Sequence, residues 1–426
     1  MINPTCTPLR VDQKRCVESI ELRPLERIDF MDFDFSADEK RFIEEVRAFL
    51  REQALLPDAA DVMAPNRDSD SMLSDTPARR RFNREMAKRG YLGMSWPKEY
   101  GGSEKSGIYE YLLNEELARV GAPLIGKGIG IVGKTLIRHG SDKLKTEFLP
   151  KIRNAEIEFA LGYSEPGAGS DLASLKLKAE RSGEGWLFNG QKIWNTSAHF
   201  ADWYWLAART DPQAAKHKGI SLFLVPMHEK GITVSAIHTL GEHRTNHVFL
   251  DNVWVHDDYR VGELNKGWTY ISEALDFERF TIYPFSPLEA KLEQMWKHIK
   301  TTQRNGQRLT AVPEIRRQMA RLVAQVETAK MLQRSVIFSA SQGGVPTVEA
   351  SMCKLYTTAL SQRLANTMMD ILGADGLLHK SWPDAPDAGK WEWLYRSSAL
   401  ETIGAGTSEI QKNIIARRGL GLPLTN

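Results

Sequence analysis

A stretch rich in small residues is the part of the sequence best suited to hold a ligand. Residues 163–171 read Tyr-Ser-Glu-Pro-Gly-Ala-Gly-Ser-Asp. Glycine lets the backbone approach a ligand closely, and the hydroxyls of Ser164 and Ser170 can hydrogen-bond to polar atoms of that ligand. Taken alone, the stretch is equally typical of an ordinary glycine-rich loop between strands.

Two further segments carry residue types that suit a flat ligand. In residues 190–197, Trp194 lies next to Asn195 and Thr196, so an aromatic face and a hydroxyl are close together. A tryptophan beside a hydroxyl can flank a heteroaromatic ring and hydrogen-bond its edge, although a lone tryptophan is more often a core residue. Residues 406–415 place Thr407 at a predicted helix N-cap, which by itself indicates only a capping box.

The elements that must position these segments change in type along the chain. Apolar residues recur at helical spacing from residue 31 to about 155, starting at a capping box on Ser36. From about 156 to 262, aromatic and β-branched runs alternate with turn residues, which is typical of an antiparallel sheet or barrel. Helical spacing returns over 263–426. Three domains are therefore predicted. Residues 1–30 are expected to be a poorly ordered extension, with Met31 as the alternative start.

The composition argues against several classes of protein. The 426 residues include 56 Lys+Arg and 54 Asp+Glu, a balance that is unlike that of a nucleic-acid-binding protein. No apolar run approaches the roughly 20 residues that span a bilayer, and the start does not resemble a secretory signal. Three cysteines do not make a disulfide scaffold and favour a cytoplasmic location. The histidines between His238 and His256 lack the spacing of a helical zinc site, so no metal centre is expected.

Together and in this order, the three ligand-type segments closely resemble the acyl-CoA dehydrogenase family. The resemblance covers nearly the whole chain from Met31 and includes further matching motifs, namely Trp96-Pro97, Phe148-Leu149-Pro150, Arg244-Thr245-Asn246 and Leu420-Gly421-Leu422-Pro423. It implies an α+β multidomain fold with an N-terminal helical domain, a middle antiparallel β-barrel and a C-terminal four-helix bundle. It also implies FAD in a cleft between the barrel and the bundle. The sequence contains no strand–GxGxxG–helix unit, so a Rossmann-type cofactor site is not expected.

The family pattern assigns the cofactor-binding residues. It implies that the segment from Leu161 to Ser170 lines the flavin and the pyrophosphate, with Ser164 at the flavin edge. Trp194 and Thr196 would cover the isoalloxazine face and its N5 edge. The segment from Thr407 through Glu409 to Gln411 would contact the dinucleotide side of FAD. Asp370 and Gly373 are also predicted to bind a cofactor, from a segment that family members donate across subunits.

The implied reaction is removal of the α-proton of an acyl-CoA thioester, with transfer of the β-hydride to flavin N5. In many members the basic carboxylate immediately precedes the Gly-Thr-Ser motif, but Ala405 stands there in this sequence. Glu278 resembles the base of isovaleryl-CoA dehydrogenase, which lies on a bundle helix, so we predict that Glu278 is the catalytic base. Without the resemblance, Glu278 is more typical of a surface glutamate paired with Arg279 or Lys291.

The remaining catalytic and substrate-binding assignments also come from the resemblance. The backbone N–H of Ala405 survives the loss of a carboxylate side chain and can still donate to the thioester oxygen, as in an oxyanion hole. Ser170, Asp276 and Arg279 are predicted to contact the substrate. A branched, cyclic or steroid-like acyl group fits the resemblance better than a plain fatty chain, and the sequence does not fix its identity.

Two segments depart from the pattern of homotetrameric members. The Arg-x-x-Phe-Gly segment that reaches a neighbouring subunit's FAD is replaced by residues 302–306, with Thr302 at the arginine position. The later Gln-x-x-x-Gly-Gly segment, which is also donated across subunits, begins here with Asp370, and an aspartate repels a dianionic pyrophosphate. Arg304 or Arg308 could supply the missing positive charge. The departures resemble bacterial members that act on bulky thioesters, some of which form heterotetramers.

The sequence leaves the assembly and two other functions open. The chain is expected to form a homodimer, a homotetramer or a heterotetramer with a related subunit, and to pass electrons to an electron-transfer flavoprotein. One alternative function is a flavin monooxygenase or oxidase on the same fold. The other is a non-catalytic subunit that completes a partner's FAD site, which the alanine at 405 makes worth testing.

Overall fold

The computed structural model describes residues 34–63, 74–278, 284–341 and 346–423, and the side chains of 276–278 and 341 are not part of this description. The chain divides into two compact units, Met1–Asp34 and Phe35–Asn426, and every helix and strand given below belongs to the second. The predicted extension at 1–30 lies outside the described residues, so its expected disorder stays a prediction.

In the described part of the chain, six α-helices precede the sheet. They are α1 (Ala37–Ala54), α2 (Ala59–Val62), α3 (Pro77–Lys88), α4 (Ile108–Arg119), α5 (Lys134–His139) and α6 (Asp142–Arg153). The predicted capping box at Ser36 is present, because its side chain accepts from the Glu39 N–H and the Glu39 carboxylate accepts from the Ser36 N–H. A π-helical turn, Gly128–Gly133, leads into α5.

The helical spacing of α1 buries one face of that helix against the other N-terminal helices. Phe42, Val46 and Phe49 are almost completely buried, and the Phe49 ring lies 5.5 Å from the ring of Phe82 on α3. Each buried apolar side chain of this size contributes about 1.5–3 kcal/mol relative to an exposed one. Apolar spacing therefore predicted this part of the fold correctly.

The middle of the chain forms one mixed sheet. Its strands are β1 (Phe159–Gly162), β2 (Lys178–Ser182), β3 (Gly185–Lys192), β4 (Trp203–Arg209), β5 (Ile220–Pro226), β6 (Ile232–His238), β7 (Arg244–His256) and β8 (Arg260–Val261). The hydrogen-bonded order is β6-β7-β3-β2-β4-β5-β8, and β1 pairs with β4 in parallel. Among the described strands no pairing joins β6 to β8, so the predicted antiparallel barrel is not confirmed.

Helices return after the sheet. They are α7 (Gly267–Glu278), α8 (Ser286–Thr301), α9 (Pro313–Ser341), α10 (Thr347–Leu372), α11 (Lys390–Glu401) and α12 (Ser408–Ile414), with short strands β9 (Gln303–Arg304) and β10 (Gln307–Arg308) after α8. Side chains from α8, α9, α10 and α11 share one apolar core that includes Met295, Met319, Met368 and Trp391. Within the described ranges, no helix has the length and apolarity needed to cross a membrane.

A buried carboxylate on α4 joins the N-terminal helices to the C-terminal ones. Glu115 accepts hydrogen bonds from the backbone N–H groups of Phe285 (2.6 Å) and Ser286 (2.9 Å), at the start of α8. It also accepts from the Gln333 side chain on α9 at 3.0 Å. Burial raises the pKa of Glu115, and the hydrogen bonds to its oxygens oppose that rise. This one side chain thus links α4 to both α8 and α9.

The turn between β6 and β7 contacts the C-terminal helices through a charged cluster. Glu242 in this turn contacts Lys380 Nζ at 2.5 Å, His379 Nε2 at 2.8 Å and Arg396 Nη2 on α11 at 3.0 Å. These partners, Lys380 most strongly, lower the pKa of Glu242 to about 2. An ionised Glu242 therefore helps to hold the sheet against α11.

Replacing Glu242 by glutamine is expected to remove a pH-dependent contribution to stability. Because the pKa of Glu242 falls from 4.5 to about 2 on folding, the contribution is present above about pH 4.5 and is lost as the pH falls toward 2. The difference in unfolding free energy between wild type and Glu242→Gln should shrink between about pH 6 and about pH 3, measured by denaturant titration. Glu229→Gln, at an exposed site before β6, is the control. A difference independent of pH would contradict this role.

Candidate active site

The loop after β1 is tied to two other strands through its backbone and through Glu165. Within the loop, Glu165 and Ala168 exchange backbone hydrogen bonds of 3.0 Å, which closes a tight turn. The carbonyl of Ser164 accepts from the N–H of Ile193, just after β3, at 2.9 Å. The Glu165 carboxylate accepts from the N–H groups of Lys176 (2.7 Å) and Leu177 (2.9 Å) before β2. The small-residue stretch is therefore a fixed loop.

Lys192, the last residue of β3, lies beneath this loop and is completely buried. Its ammonium group donates to the Glu165 carboxylate at 2.8 Å and to the carbonyl of Tyr163 at 3.0 Å. Burial lowers the pKa of Lys192 to about 8, although the Glu165 carboxylate opposes that effect. Lys192 was not among the predicted site residues. The glutamate inside a stretch of small residues was the available signal, because a carboxylate there needs a partner.

Trp194 lies two residues after Lys192 and presents its side chain to solvent. Its backbone adopts a left-handed conformation with φ of +65°, and 57% of the residue is exposed. The next residue, Asn195, is buried and donates through Nδ2 to the carbonyl of Leu161 at 2.7 Å. Its Oδ1 accepts from the hydroxyl of Tyr204 at 2.8 Å. Asn195 therefore anchors the exposed indole next to the end of β1.

A second buried asparagine completes this anchor. Asn246 on β7 accepts through its carbonyl from the Asn195 N–H at 3.0 Å. The Asn246 side-chain amide donates to the carbonyls of Asn195 (2.7 Å) and Thr196 (3.3 Å). These bonds thus bring together three residues that the resemblance assigned to one site, namely Leu161, Trp194 and Thr196. The two asparagines that do this were not among the predicted site residues, although Asn246 belongs to the family motif Arg244-Thr245-Asn246.

A second group of predicted residues forms the corner between α11 and α12. Ala405 and Gly406 have φ values of +52° and +90°, so the chain turns sharply there. Gln411 Nε2 donates to the carbonyls of Ala405 (3.3 Å) and Gly406 (3.1 Å), and Lys354 on α10 donates to the latter at 2.6 Å. In the described part of the chain, no group accepts from the N–H of Ala405, and the residue is exposed.

Thr407, Glu409 and Gln411 lie on the α12 side of this corner. Thr407 is the N-cap of α12, and its hydroxyl accepts from the N–H of Ile410 at 3.3 Å. Glu409 is exposed, and hydrogen bonds from its own backbone N–H and from Thr407 lower its pKa. Gln411 is buried, and its Oε1 has no hydrogen-bond partner among the described residues. An unpaired buried acceptor at this point suits a ligand that brings a donor.

Asp370 and Gly373 lie far from that corner. Both are exposed at the C-terminal end of α10, whereas Lys354, which contacts Gly406, lies nearer the start of the same helix. At about 1.5 Å of rise per residue, the two places are separated by roughly 24 Å. The guanidinium of Arg304 donates to the carbonyl of Ile371, so a positive charge does lie beside Asp370 and Gly373. The fold therefore separates these two residues from Ala405 and Gln411.

The predicted base stands at the end of α7. Glu278 is the last described residue of this helix, and α7 packs against the π-helical turn Gly128–Gly133. The side chains of Asp276 and Glu278 and the whole of Arg279 lie outside the described residues, so their roles stay predictions. Ser170 is exposed at the end of the small-residue loop. In the ranges that the structure describes, no group of His, Cys, Asp or Glu side chains could hold a metal ion.

Three family models match the chain in order. They are the acyl-CoA dehydrogenase N-terminal domain over residues 36–156, its middle domain over 160–253 and its C-terminal domain over 265–420. The chain belongs to the acyl-CoA dehydrogenase family. The predicted enzyme class, an acyl-CoA dehydrogenase-type oxidoreductase, and the order of helical, sheet and helical domains are both confirmed. Acyl-CoA dehydrogenases are flavoproteins, so a flavin cofactor follows from membership.

Relatives of known name and structure agree with this assignment. Acyl-CoA dehydrogenase FadE26 of Mycobacterium tuberculosis is 34% identical over 349 residues, which is 80% of this chain and 87% of the relative. The solved structure of the Tcur3481-Tcur3483 steroid ACAD matches with a TM-score of 0.83 and 33% identity, covering 93% of this chain and all of the other. The ChsE4-ChsE5 complex from Mycobacterium tuberculosis matches with a TM-score of 0.82 and 32% identity, covering 93% of this chain and 100% of that one.

Proposed function

We propose that the chain catalyses FAD-dependent α,β-dehydrogenation of an acyl-CoA thioester, with Glu278 as the base. The observation that carries the proposal is the corner at Ala405. It keeps the backbone N–H without an acceptor in the described chain, as an oxyanion donor requires, but offers a methyl group where many members carry the carboxylate. The base must then come from elsewhere, and Glu278 on α7 is the carboxylate that matches the isovaleryl-CoA dehydrogenase position.

The residues present fit a flavin dinucleotide. Trp194 offers an exposed aromatic face that a buried pair of asparagines holds beside Thr196 and Leu161, and Ser164 lies on the loop tied to the same strand end. At the other group, Thr407, Glu409 and the unpaired Oε1 of Gln411 would hold the dinucleotide side. FAD bound there supplies the two-electron acceptor for the β-hydrogen.

The chain's own residues would carry out the proton transfer. Glu278 takes the α-proton onto a carboxylate oxygen, and the electron pair left on Cα forms the new double bond as the β-hydrogen departs with its own pair. The N–H of Ala405 donates to the thioester oxygen while negative charge collects on it. Ser170, Asp276 and Arg279 are proposed to contact the thioester and orient it.

The separation along α10 supports an assembly in which two chains share each cofactor. Asp370 lies about 24 Å along α10 from Lys354, whose ammonium group contacts the Ala405 corner. Asp370 and the nearby Gly373 therefore cannot reach the part of a cofactor that Gln411 would contact. We infer that they face a cofactor whose remaining contacts come from another subunit, with Arg304 offsetting the charge of Asp370. Because the similar ChsE4-ChsE5 structure is a complex of two named chains, a heteromer is the form that we favour.

The proposed substrate is a bulky, steroid-like acyl-CoA, and the proposed acceptor is an electron-transfer flavoprotein. A similar solved structure is named a steroid ACAD, which agrees with the branched, cyclic or steroid-like acyl group expected from the sequence. Domain limits at residues 31–155, 156–262 and 263–426, and closure of the sheet into a barrel, stay part of the proposal.

The proposal is tested by anaerobic bleaching of the flavin. The purified protein, with any partner that co-purifies, is mixed with butyryl-CoA, palmitoyl-CoA and a steroid side-chain acyl-CoA. We expect flavin absorbance to be lost only with the bulky thioester, and to return when an electron-transfer flavoprotein is added. Bleaching by NAD(P)H without a thioester, or turnover driven by oxygen, would select the monooxygenase or oxidase instead. Bleaching that needs the partner's carboxylate but not Glu278 would make this chain the non-catalytic subunit.

A further inference from the structure

Lys192 is a buried charge at the point where the flavin-lining segments meet. It is fully buried at the end of β3, two residues before Trp194. Its ammonium group donates to the carboxylate of Glu165 at 2.8 Å and to the carbonyl of Tyr163 at 3.0 Å. One side chain therefore fastens the loop after β1 to the strand that leads into the proposed flavin face.

The partner carboxylate extends this linkage to a third segment. Glu165 accepts from the backbone N–H groups of Lys176 and Leu177, which precede β2, and only 10% of its side chain is exposed. Without the ammonium group, a nearly buried carboxylate would keep its backbone donors but lose its counter-charge. The loop would then gain from moving Glu165 toward water, which would move Ser164 away from Ile193.

We propose that protonated Lys192 is a positioning residue for FAD, whose charge keeps the loop from Tyr163 to Ser170 in register with Trp194 and Thr196. This rests on the proposed function, since it assumes that these segments line the flavin. An apolar residue of the same length could fill the space, but it would not hold Glu165 or the carbonyl of Tyr163. The charge is therefore the functional property of Lys192.

The surroundings of Lys192 make this charge sensitive to alkaline pH. Three groups act on it: the Glu165 carboxylate and the backbone carbonyl of Tyr163, which accept its hydrogen bonds, and the positive charge of Arg209 on β4. The buried Tyr204 of β4 interacts with Glu165. Burial and the repulsion from Arg209 lower the pKa of Lys192, Glu165 raises it, and the balance is about 8. FAD retention should therefore weaken as the pH rises through about 8.

The unfolding free energy of the protein should increase with pH above about 8, whereas FAD retention should decrease. Because the pKa of Lys192 is about 8 in the folded chain and 10.5 ordinarily, the folded chain releases this proton first. The contribution of Lys192 to the unfolding free energy therefore rises as the pH increases from about 8 to about 10.5. A purely structural lysine would give only this rise. A lysine that positions FAD gives the rise together with loss of cofactor.

The test is the dissociation constant of FAD as a function of pH, measured by flavin fluorescence on the purified holoenzyme after removal and return of FAD. For wild type we expect a rise of about tenfold between about pH 7 and about pH 9.5, with a midpoint near 8. Lys192→Met should bind FAD weakly at every pH, and its FAD dissociation constant should show no transition near pH 8. Glu165→Gln should shift the midpoint to lower pH, because Glu165 raises the pKa of Lys192. Lys178→Met, at an exposed site on β2, is the matched control.

The results separate this inference from the proposed function. If wild type binds FAD with a flat pH profile and Lys192→Met binds equally well, Lys192 has no positioning role, while the proposed function stands. If the wild-type protein binds no FAD at any pH, both are wrong. Should Lys192→Met fail to fold, the midpoint of wild type and its shift in Glu165→Gln still decide the matter, and a midpoint that does not move would overturn the proposal.

Discussion

Glu278→Gln is expected to keep FAD bound and to lose turnover by about 10²- to 10⁴-fold, the range that a positioned general base contributes. Glutamine preserves the size of the side chain but cannot accept the α-proton. The loss should appear in the rate of anaerobic flavin reduction by a good acyl-CoA, since that step contains the proton transfer. The FAD content of the purified variant should equal that of wild type, because Glu278 is not among the proposed cofactor-binding residues.

Two companion variants make this result specific. Glu273→Gln applies the same chemical change five residues earlier on α7, where Glu273 contacts His139 at 2.7 Å. Its flavin should be reduced at close to the wild-type rate. Adding Ala405→Glu to Glu278→Gln returns a carboxylate to the position that many family members use. That double variant should recover part of the lost rate. The backbone at 405 has a φ of +52°, which costs alanine and glutamate a similar strain energy, so the added glutamate does not strain the backbone further. Unchanged flavin reduction in Glu278→Gln alone would remove Glu278 from the mechanism.

Asn195→Ala is expected to have the largest effect on stability and on the cofactor site together. The change removes the hydrogen bonds to the carbonyl of Leu161 (2.7 Å) and from the hydroxyl of Tyr204 (2.8 Å), and Tyr204 is fully buried. Leaving buried polar groups unpaired costs about 1–3 kcal/mol each, so we expect the unfolding free energy to fall by about 2–4 kcal/mol. Trp194 also loses its anchor, and FAD affinity should fall with it.

The measurement pairs denaturant unfolding of the FAD-free protein with FAD binding at neutral pH. Asn154→Ala is the control, because Asn154 is exposed and its side chain donates to the exposed side chain of Glu156 at 3.0 Å, away from the buried asparagine pair. Asn195→Asp keeps the size but sets an oxygen against the carbonyl of Leu161, so it should be destabilised as well. Wild-type stability in Asn195→Ala would mean that the buried pair with Asn246 does not support the proposed flavin face.

Local sequence determined the order of elements and the identity of the family. Apolar spacing places α1 and its buried face correctly, since helical periodicity depends only on residues within a few turns. The motif around Trp194 and the alanine at 405 were likewise visible, because each is a run of adjacent residues. These features carried the prediction of an acyl-CoA dehydrogenase without any knowledge of distant contacts.

The tertiary structure decided which polar groups meet. Glu165 with Lys192, and Asn195 with Asn246, come together only through the pairing of β3 with β7 and the return of the β1 loop, and β3 carries a register shift between Phe188 and Gly190. Such a shift breaks the simple alternation of inward and outward residues, so the residue pattern of β3 gives no reason to bury a lysine there. The distance between Asp370 and the Ala405 corner was also fixed only by the path of α10. Local spacing encodes which face of an element is apolar, whereas the meeting of buried charges depends on strand register and helix length across the whole fold.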